Sequence, residues 1–181
     1  MAFTPPPRGG CRQLQLSPLR QALGLLARKS LISRQLLIPA ESAADRSSLP
    51  LETILKQLRQ GQLDLLDYLD YFGSGPGLTP AFDDFCSGLL FATSRLQSQQ
   101  IKNSEKLFAK LAGRTTLTSR WQLEFARHGQ LNIAFEQLFE NLLAGQAKLS
   151  ECLAAARFGH SSGIDLLTGV LRAVEAISRP E

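Results

Sequence analysis

Apolar residues recur along most of the chain at the three- and four-residue spacing of an amphipathic helix. The clearest stretch lies between Gly129 and Gly145, where the apolar positions are Leu131, Ala134, Phe135, Leu138, Phe139 and Leu142. This spacing places them on one face of a helix, and glycine is typical just outside helix ends. Shorter stretches of the same kind predict helices near residues 54–58, 65–72, 121–128, 149–156 and 167–174.

Signals for β-strands are weak by comparison. The best candidate is the segment SLISRQLLIPA at residues 30–40, which Pro39 ends. Strands and helices do not alternate regularly, so a parallel sheet is not expected. The pattern predicts an all-α, mainly helical fold of about seven to nine helices, with an irregular N-terminal segment that holds the one candidate strand. We expect residues 1–45 to form a basic arm and residues 46–181 to form the helical domain.

Length and composition fit one soluble domain. The chain has 181 residues, of which 44% are hydrophobic, and this is enough to bury a core. No apolar run approaches the roughly 18 residues of a membrane span, and the first residues lack the features of a secretory signal. The three cysteines are far apart and match neither a disulfide framework nor a zinc site, so a cytoplasmic location is expected.

The net charge of +4 is concentrated near the N terminus. Six basic residues precede Glu41, the first acidic residue, so this segment carries +6 against −2 for the rest of the chain. Such an arm could bind nucleic acid or a membrane surface. A solvated tail with one amphipathic helix is the favoured alternative, because no aromatic residue after Phe3 lies among these arginines to stack on bases.

The segment GSGPGLTP, residues 73–80, is a glycine-rich loop that leads into a predicted helix. Gly75 and Gly77 permit positive φ or a close approach of the backbone. Thr79 is a natural N-cap, and Pro80 suits the first helical position. Because free N–H groups and the helix dipole favour a negative charge there, the loop is a candidate anion-binding site.

Two adjacent aspartates, Asp83 and Asp84, follow this loop. Both could simply stabilise the helix N terminus. Neighbouring residues on a helix point about 100° apart, since one turn takes about 3.6 residues. At most one carboxylate is therefore expected to face a pocket beside the loop, while the other could orient the loop by accepting its N–H groups.

A second loop, FGHSSGIDLLTGVL at residues 158–171, repeats part of this arrangement. Asp84 and Asp165 are each followed four residues later by a glycine, Gly88 and Gly169. A glycine inside an apolar helix costs about 1 kcal/mol relative to alanine, so its use suggests that two helices cross there at close range. Both loops would then lie at the same end of the crossing. Their polar residues would share one pocket: Thr79, Asp83, Asp84, His160, Ser161, Ser162 and Asp165.

Several chemistries suit such a pocket. His160 could act as an acid or base near neutral pH or stabilise an anion when protonated. Ser161 or Ser162 could be a nucleophile, and the aspartates with His160 could hold a divalent cation. Anion binding is favoured over metal binding, and metal binding over a serine nucleophile. The segment RTTLTSR at residues 114–120 adds hydroxyls, Thr116 among them, that could reach an anion or cap the helix predicted to begin near Thr118 or Ser119.

The two motifs resemble the signature segments of the AllH-like family, long catalogued as a domain of unknown function. The first signature is matched at Gly73, Gly75, Pro76, Gly77, Leu78, Thr79, Pro80, Asp83, Asp84 and Gly88, with Ala81 and Phe82 in place of a serine-glycine pair. The second is matched at Gly159, His160, Ser161, Ser162, Gly163, Asp165 and Gly169. The resemblance covers roughly residues 50–178.

AllH is described as a subunit of oxamate carbamoyltransferase in ureide breakdown, so the resemblance implies carbamoyl transfer involving a small oxo acid amide within a multi-subunit complex. The expected partners are therefore other protein subunits or further copies of this chain in a homo-oligomer, and not a membrane. The expected ligand is a small anion such as carbamoyl phosphate, phosphate or an oxo acid, with no organic cofactor and no resident metal. A non-catalytic ligand-sensing or scaffold protein of the same fold is the alternative. The candidate catalytic residues are His160, Ser161 and Asp84, and the candidate ligand-binding residues are Gly75, Gly77, Thr79, Asp83, Ser162, Gly163, Asp165 and Thr116.

Overall fold

The computed structural model describes residues 15–30, 32, 49–74, 77–96 and 101–178. Within these ranges the α-helices are α1 (Ser17–Leu26), α2 (Leu51–Arg59), α3 (Ala81–Arg95), α4 (Ser104–Lys110), α5 (Leu117–Arg127), α6 (Ile133–Leu143), α7 (Leu149–Ala156) and α8 (Ser162–Ser178). Two 3₁₀-helices, Ala27–Lys29 and Leu65–Tyr71, accompany them. Two short strands, β1 (Leu63–Asp64) and β2 (Ile101–Lys102), pair in parallel.

The predicted fold class is confirmed, because the described parts of the chain are mainly helical. The short helix predicted at residues 65–72 is the 3₁₀-helix Leu65–Tyr71. Most of the candidate strand at residues 30–40 lies outside the described residues. Across the described ranges, no helix combines the length and the apolar character needed to cross a bilayer.

The centre of the fold is the packing of α3 against α8. Every residue from 82 to 93 in α3 and from 163 to 171 in α8 is buried, as expected for helices surrounded by other elements on all sides. The helix α5 packs against α3, while α1, α2 and α7 pack against α8. This arrangement brings the N-terminal ends of α3 and α8 into the interior, next to the loops that precede them.

The two glycines predicted to mark a close helix crossing do so. A Cβ atom added at Gly88 would lie 2.0 Å from the backbone oxygen of Leu166, and one added at Gly169 would lie 2.1 Å from the backbone oxygen of Phe85. Real Cβ atoms essentially never approach other atoms this closely. The crossing of α3 and α8 therefore depends on the absence of a side chain at both positions.

The helix α1 lies within the segment whose sequence predicts a basic arm. Its residues Leu19, Ala22 and Leu23 are fully buried, and the helix packs against α7 and α8. Arg20 on its outer side pairs with Glu175 of α8 at 2.9 Å. This part of the segment is the expected amphipathic helix, and its apolar face belongs to the core.

Two helix starts differ from the prediction by one or two residues. Pro80 occupies the N-cap position of α3, which begins at Ala81, so Thr79 does not cap this helix. Thr116 caps α5, with its hydroxyl accepting a hydrogen bond from the Ser119 amide at 3.0 Å, and the helix begins at Leu117 rather than near Thr118. Several hydroxyl residues precede α5, and Thr116 is the one that caps it, whereas α3 has no side-chain cap.

Candidate functional site

The two loops meet, as the sequence predicts. The Thr79 hydroxyl, just before α3, and the Ser162 hydroxyl, at the first residue of α8, form a hydrogen bond of 3.0 Å. Since either oxygen can be the donor, the pair can reorient to donate to a third group. The close crossing at Gly88 and Gly169 brings these two hydroxyls together.

The two adjacent aspartates of α3 have different surroundings. Asp83 is fully buried and accepts hydrogen bonds from the Gly73 amide at 2.9 Å and from the Thr115 hydroxyl. Burial raises the pKa of Asp83, and the hydrogen bonds from Thr115, Gly73 and Ser119 oppose that rise. Asp83 therefore orients the glycine loop, which is the role predicted for one of the two carboxylates.

Asp84 lies at the floor of an open cavity. Its side chain is 1% exposed, and its Oδ1 atom accepts a hydrogen bond of 2.7 Å from Nε2 of Gln122 in α5. Its other oxygen, Oδ2, has no hydrogen-bond partner among the described residues. Burial raises the pKa of Asp84 to about 6, while the hydrogen bond from Gln122 and the nearby hydroxyls of Ser162 and Thr79, which bond to each other, oppose the rise. The carboxyl group can therefore gain or lose a proton near neutral pH.

The cavity above Asp84 has a volume of about 1120 Å³. Its polar floor includes Thr79, Asp84, Gln122 and Ser162, and Gly159 from the second loop also lines it. The lining also includes the polar residues Thr118, Gln130, Asn132 and Glu136. Most of the lining surface is nevertheless apolar and comes from α5, α6, α8, the α5–α6 connection and both loops: Leu78, Trp121, Phe125, Leu131, Phe135, Phe158 and Leu166. A concave apolar space with a few convergent polar groups is the usual form of a ligand-binding site.

The charged residues that line the cavity are Asp84 and Glu136, and no Lys, Arg or His among the described residues does so. Glu136 is partly compensated, because it accepts a hydrogen bond from the Leu131 amide at 2.8 Å and lies 4.0 Å from Arg95. Asp84 has no such cation among its described contacts. Next to Asp84, the described lining therefore favours a neutral or hydrogen-bond-donating group over an anionic one.

Asp165, the third predicted carboxylate, is fully buried but does not line the cavity. Its Oδ1 accepts a hydrogen bond from the Ser30 hydroxyl. Burial raises the pKa of Asp165 to about 7; the charge of Asp84 raises it further, and hydrogen bonds from Ser30 and Ser161 oppose the rise. Asp165 and Asp84 therefore influence each other's protonation across the helix crossing.

The other predicted residues that the structure describes do not line the cavity. His160 is exposed, and Ser161 is half-buried. The Gly163 amide donates to the carbonyl of Phe158 at 3.0 Å. Thr116 caps α5 and donates its hydroxyl to the Leu78 carbonyl, which ties the segment before α5 to the glycine loop. Gly77 is exposed with a φ of +100°, and Gly75 lies outside the described residues.

Metal binding was the second chemistry that the sequence suggested, through the aspartates with His160. Among the residues that the structure describes, no group of three or more His, Cys, Asp and Glu side chains is close enough to hold a metal ion. The buried carboxylates are instead held by hydroxyl, amide and backbone N–H donors.

Sequence reasoning missed most of the cavity wall. Trp121 and Phe125 appear in the sequence as the apolar side of a helix, which usually means core, but they remain 46% and 48% exposed. Phe158 is 54% exposed. Gln122, the partner of Asp84, lies 38 residues away in sequence, and no local pattern distinguishes it from other polar helix residues.

The family comparison matches the region that carries this site. The model of a family described as oxamate carbamoyltransferase subunit AllH matches residues 71–174. This range includes both loops, the pair Asp83 and Asp84, and the helices that line the cavity. No solved structure matches the chain. Because the family match covers more than half of the sequence, the protein belongs to the AllH family, the family of the oxamate carbamoyltransferase subunit.

Proposed function

We propose that this protein is a subunit of a carbamoyltransferase and that its cavity holds the amide of the acceptor, a short oxo acid amide such as oxamate. The observation that carries the proposal is the Oδ2 atom of Asp84. It is buried and unpartnered among the described residues, at the floor of a cavity between the two loops that the family shares. A buried carboxylate oxygen without a donor is costly, and an amide N–H of a ligand would satisfy it.

In the carbamoyl transfer reaction, Asp84 would also act as a general base. The acceptor's amide nitrogen forms a bond to the carbamoyl carbon, the bond from that carbon to the phosphate oxygen breaks, and the phosphate leaves with the electron pair. The nitrogen must also lose a proton, which the Asp84 carboxylate accepts. A pKa of about 6 for Asp84 suits a general base, because the group is largely ionised at neutral pH and still able to hold a proton.

The hydroxyls of Thr79 and Ser162 would orient the acceptor. They bond to each other, line the cavity and interact with Asp84, so one of them can donate to the acceptor's carbonyl oxygen while the other supports the carboxylate. The first turn of α3 lies beside them, and its dipole favours the negative end of an oxo acid.

The donor's phosphate has a different requirement. A phosphate dianion normally needs lysine, arginine or a metal ion, and none of the described lining residues is basic. We therefore place the cationic half of the donor site on a partner subunit, which approaches the open side of the cavity. This division agrees with a family described as a subunit of an enzyme.

Calorimetric titration of the purified chain with oxamate tests the acceptor site. We expect saturable binding that Asp84→Asn weakens at least about tenfold, since the variant loses the charged acceptor. The matched control is Asp67→Asn, which removes an exposed carboxylate outside the cavity. In a complex reconstituted with the products of neighbouring genes, oxamate should stimulate release of phosphate from carbamoyl phosphate. Equal affinity of wild type and Asp84→Asn would contradict the proposal.

A second candidate function is a ligand-sensing or scaffold subunit without chemistry. The observation in its favour is that the described lining includes no basic side chain to hold the donor's phosphate. The His160→Ala variant does not separate the two functions, because neither requires that side chain in the cavity. Asp84→Asn does: a scaffold subunit would keep the phosphate release of the reconstituted complex unchanged, whereas a catalytic subunit would lose it.

A further inference from the structure

The cavity is larger than a short oxo acid amide requires. Its volume of about 1120 Å³ exceeds the roughly 300–1,000 Å³ of sites that hold drug-sized ligands. An acceptor of a few atoms on the floor, beside Asp84, would contact few of the apolar side chains above it. The size and apolar character of the upper wall therefore need another explanation.

Aromatic side chains form much of this wall and remain accessible. The rings of Trp121 and Phe125 are stacked, with centroids 5.8 Å apart and an interplanar angle of 26°. Phe158 meets the ring of Phe135 edge-on at 5.6 Å. Trp121, Phe125 and Phe158 are each about half exposed, whereas other aromatic pairs, such as Phe91 and Phe139, are buried. Apolar side chains grouped around a concave space are typical of a surface that a ligand covers.

The polar residues that line the cavity determine which charge a ligand group beside Asp84 can carry. Asp84 offers an acceptor oxygen without a donor, and the described lining has no basic side chain. An anionic group placed on Asp84 would meet its carboxylate without compensation. A neutral or cationic N–H group would instead form the missing hydrogen bond and gain from the charge.

We propose that the cavity binds a planar aromatic molecule that carries an amide or amidine group, with its ring against Trp121 and Phe125 and its N–H group on Asp84. The inference shares the assignment of Asp84 with the proposed function, but it requires no transfer reaction. It concerns the part of the cavity that a short acceptor leaves unused.

This assignment can be tested with four small molecules that differ in charge or in the presence of the ring. Benzamide has the ring and a neutral amide, benzamidine has the ring and a cation, benzoate has the ring and an anion, and acetamide has the amide without the ring. We expect calorimetry or ligand-observed NMR to show benzamide and benzamidine binding at least about tenfold more tightly than benzoate or acetamide. Benzoate binding as tightly as benzamide, or acetamide doing so, would overturn the proposal.

Two variants test which side chain contacts the ring of the ligand and which contacts its N–H group. Trp121→Ala should weaken benzamide at least about tenfold and leave oxamate affinity unchanged, because the ring loses its stacking surface. Asp84→Asn should abolish the preference for benzamidine over benzoate. Leu117→Ala is the control, since Leu117 is a 61% exposed apolar residue of α5 that does not line the cavity.

The outcomes separate this inference from the proposed function. If oxamate binds but benzamide binds no more tightly than acetamide, the aromatic assignment would be refuted and the acceptor site would still stand. Selective binding of benzamide without binding of oxamate would support the aromatic assignment and count against the short acceptor. Trp121→Ala with unchanged benzamide affinity would overturn the inference, provided that circular dichroism shows a native helical spectrum for the variant.

Discussion

The helix crossing under the site can be tested by adding one methyl group. Replacing Gly88 by alanine places a Cβ atom 2.0 Å from the Leu166 oxygen and 2.9 Å from the Val170 nitrogen. These are backbone atoms of a buried helix, so no side chain can rotate out of the way. Ordinary contact begins at 3.4 Å, and α3 and α8 must therefore separate by more than about 1 Å at the crossing.

The size of the effect follows from two opposing contributions. Alanine has a higher helix propensity than glycine by about 1 kcal/mol, which would stabilise the variant if space were available. Overpacking of a dense core costs about 1–3 kcal/mol and occasionally more. Because the clash involves backbone at the most buried crossing in the fold, we expect a net loss of about 2 kcal/mol in the free energy of unfolding for Gly88→Ala.

Urea denaturation followed by circular dichroism measures this loss, and thermal unfolding should show a decrease of about 4–8 °C in Tm. The matched control is Gly24→Ala in α1, where an added Cβ atom meets nothing within 4 Å. That variant should be as stable as wild type or up to about 1 kcal/mol more stable. If Gly88→Ala proved as stable as Gly24→Ala, the close crossing of α3 and α8 would be refuted.

Three further predictions concern the loops and the buried acids. Gly73→Ala should destabilise the protein, because Gly73 has a φ of +79° and an added Cβ atom would lie 2.1 Å from the Arg114 backbone oxygen; chemical denaturation measures the loss. Gln122→Ala should raise the pKa of Asp84 above about 6, because the hydrogen bond from Gln122 stabilises the ionised carboxylate; carboxyl NMR titration measures the shift. Asp165→Asn should reduce the loss of stability that wild type shows between about pH 4 and pH 7. Asp165 and Asp84 have pKa values of about 7 and 6 in the folded protein, above the 3.8 of an unfolded aspartate, so the folded state holds more protons and its stability falls as pH rises through this range.

The first two of these predictions have a matched control variant within the chain. Gly77→Ala has a positive φ but an open surrounding, so it isolates the backbone strain from the clash at Gly73. Gln137→Ala changes an exposed glutamine outside the cavity and should leave the Asp84 titration unaltered. An Asp165→Asn variant with the same pH dependence as wild type would show that this carboxyl group does not hold its proton in the folded state.

Much of the helical framework follows from local sequence patterns. The apolar spacing between Gly129 and Gly145 predicts α6, and both glycines take positive φ values of 71° and 70°, the conformation that ends a helix. The matched glycines Gly88 and Gly169 predict the α3–α8 crossing. The divergence of Asp83 and Asp84 follows from helix geometry alone. These features depend on residues a few positions apart, or on glycine, which lets two helix backbones approach closely.

The cavity depends on contacts between distant segments. In the sequence, Trp121 and Phe125 have the spacing of a buried helix stripe, and only the packing of α5 against α3 and α4 leaves them open to solvent. The choice of Gln122 as the partner of Asp84, and of Ser30 as the partner of Asp165, joins residues 38 and 135 positions apart.

The sequence by itself determined most of the helical segments, where two of them touch, and which polar residues lie at that end of the crossing, but α4 was not predicted from it. The tertiary structure decided which of those residues line a cavity and which are buried in hydrogen bonds. The physical reason is that helix formation and close approach are encoded in residue type and short-range spacing. The direction in which a side chain faces depends on how whole helices pack, and that packing is set by the sum of many distant contacts.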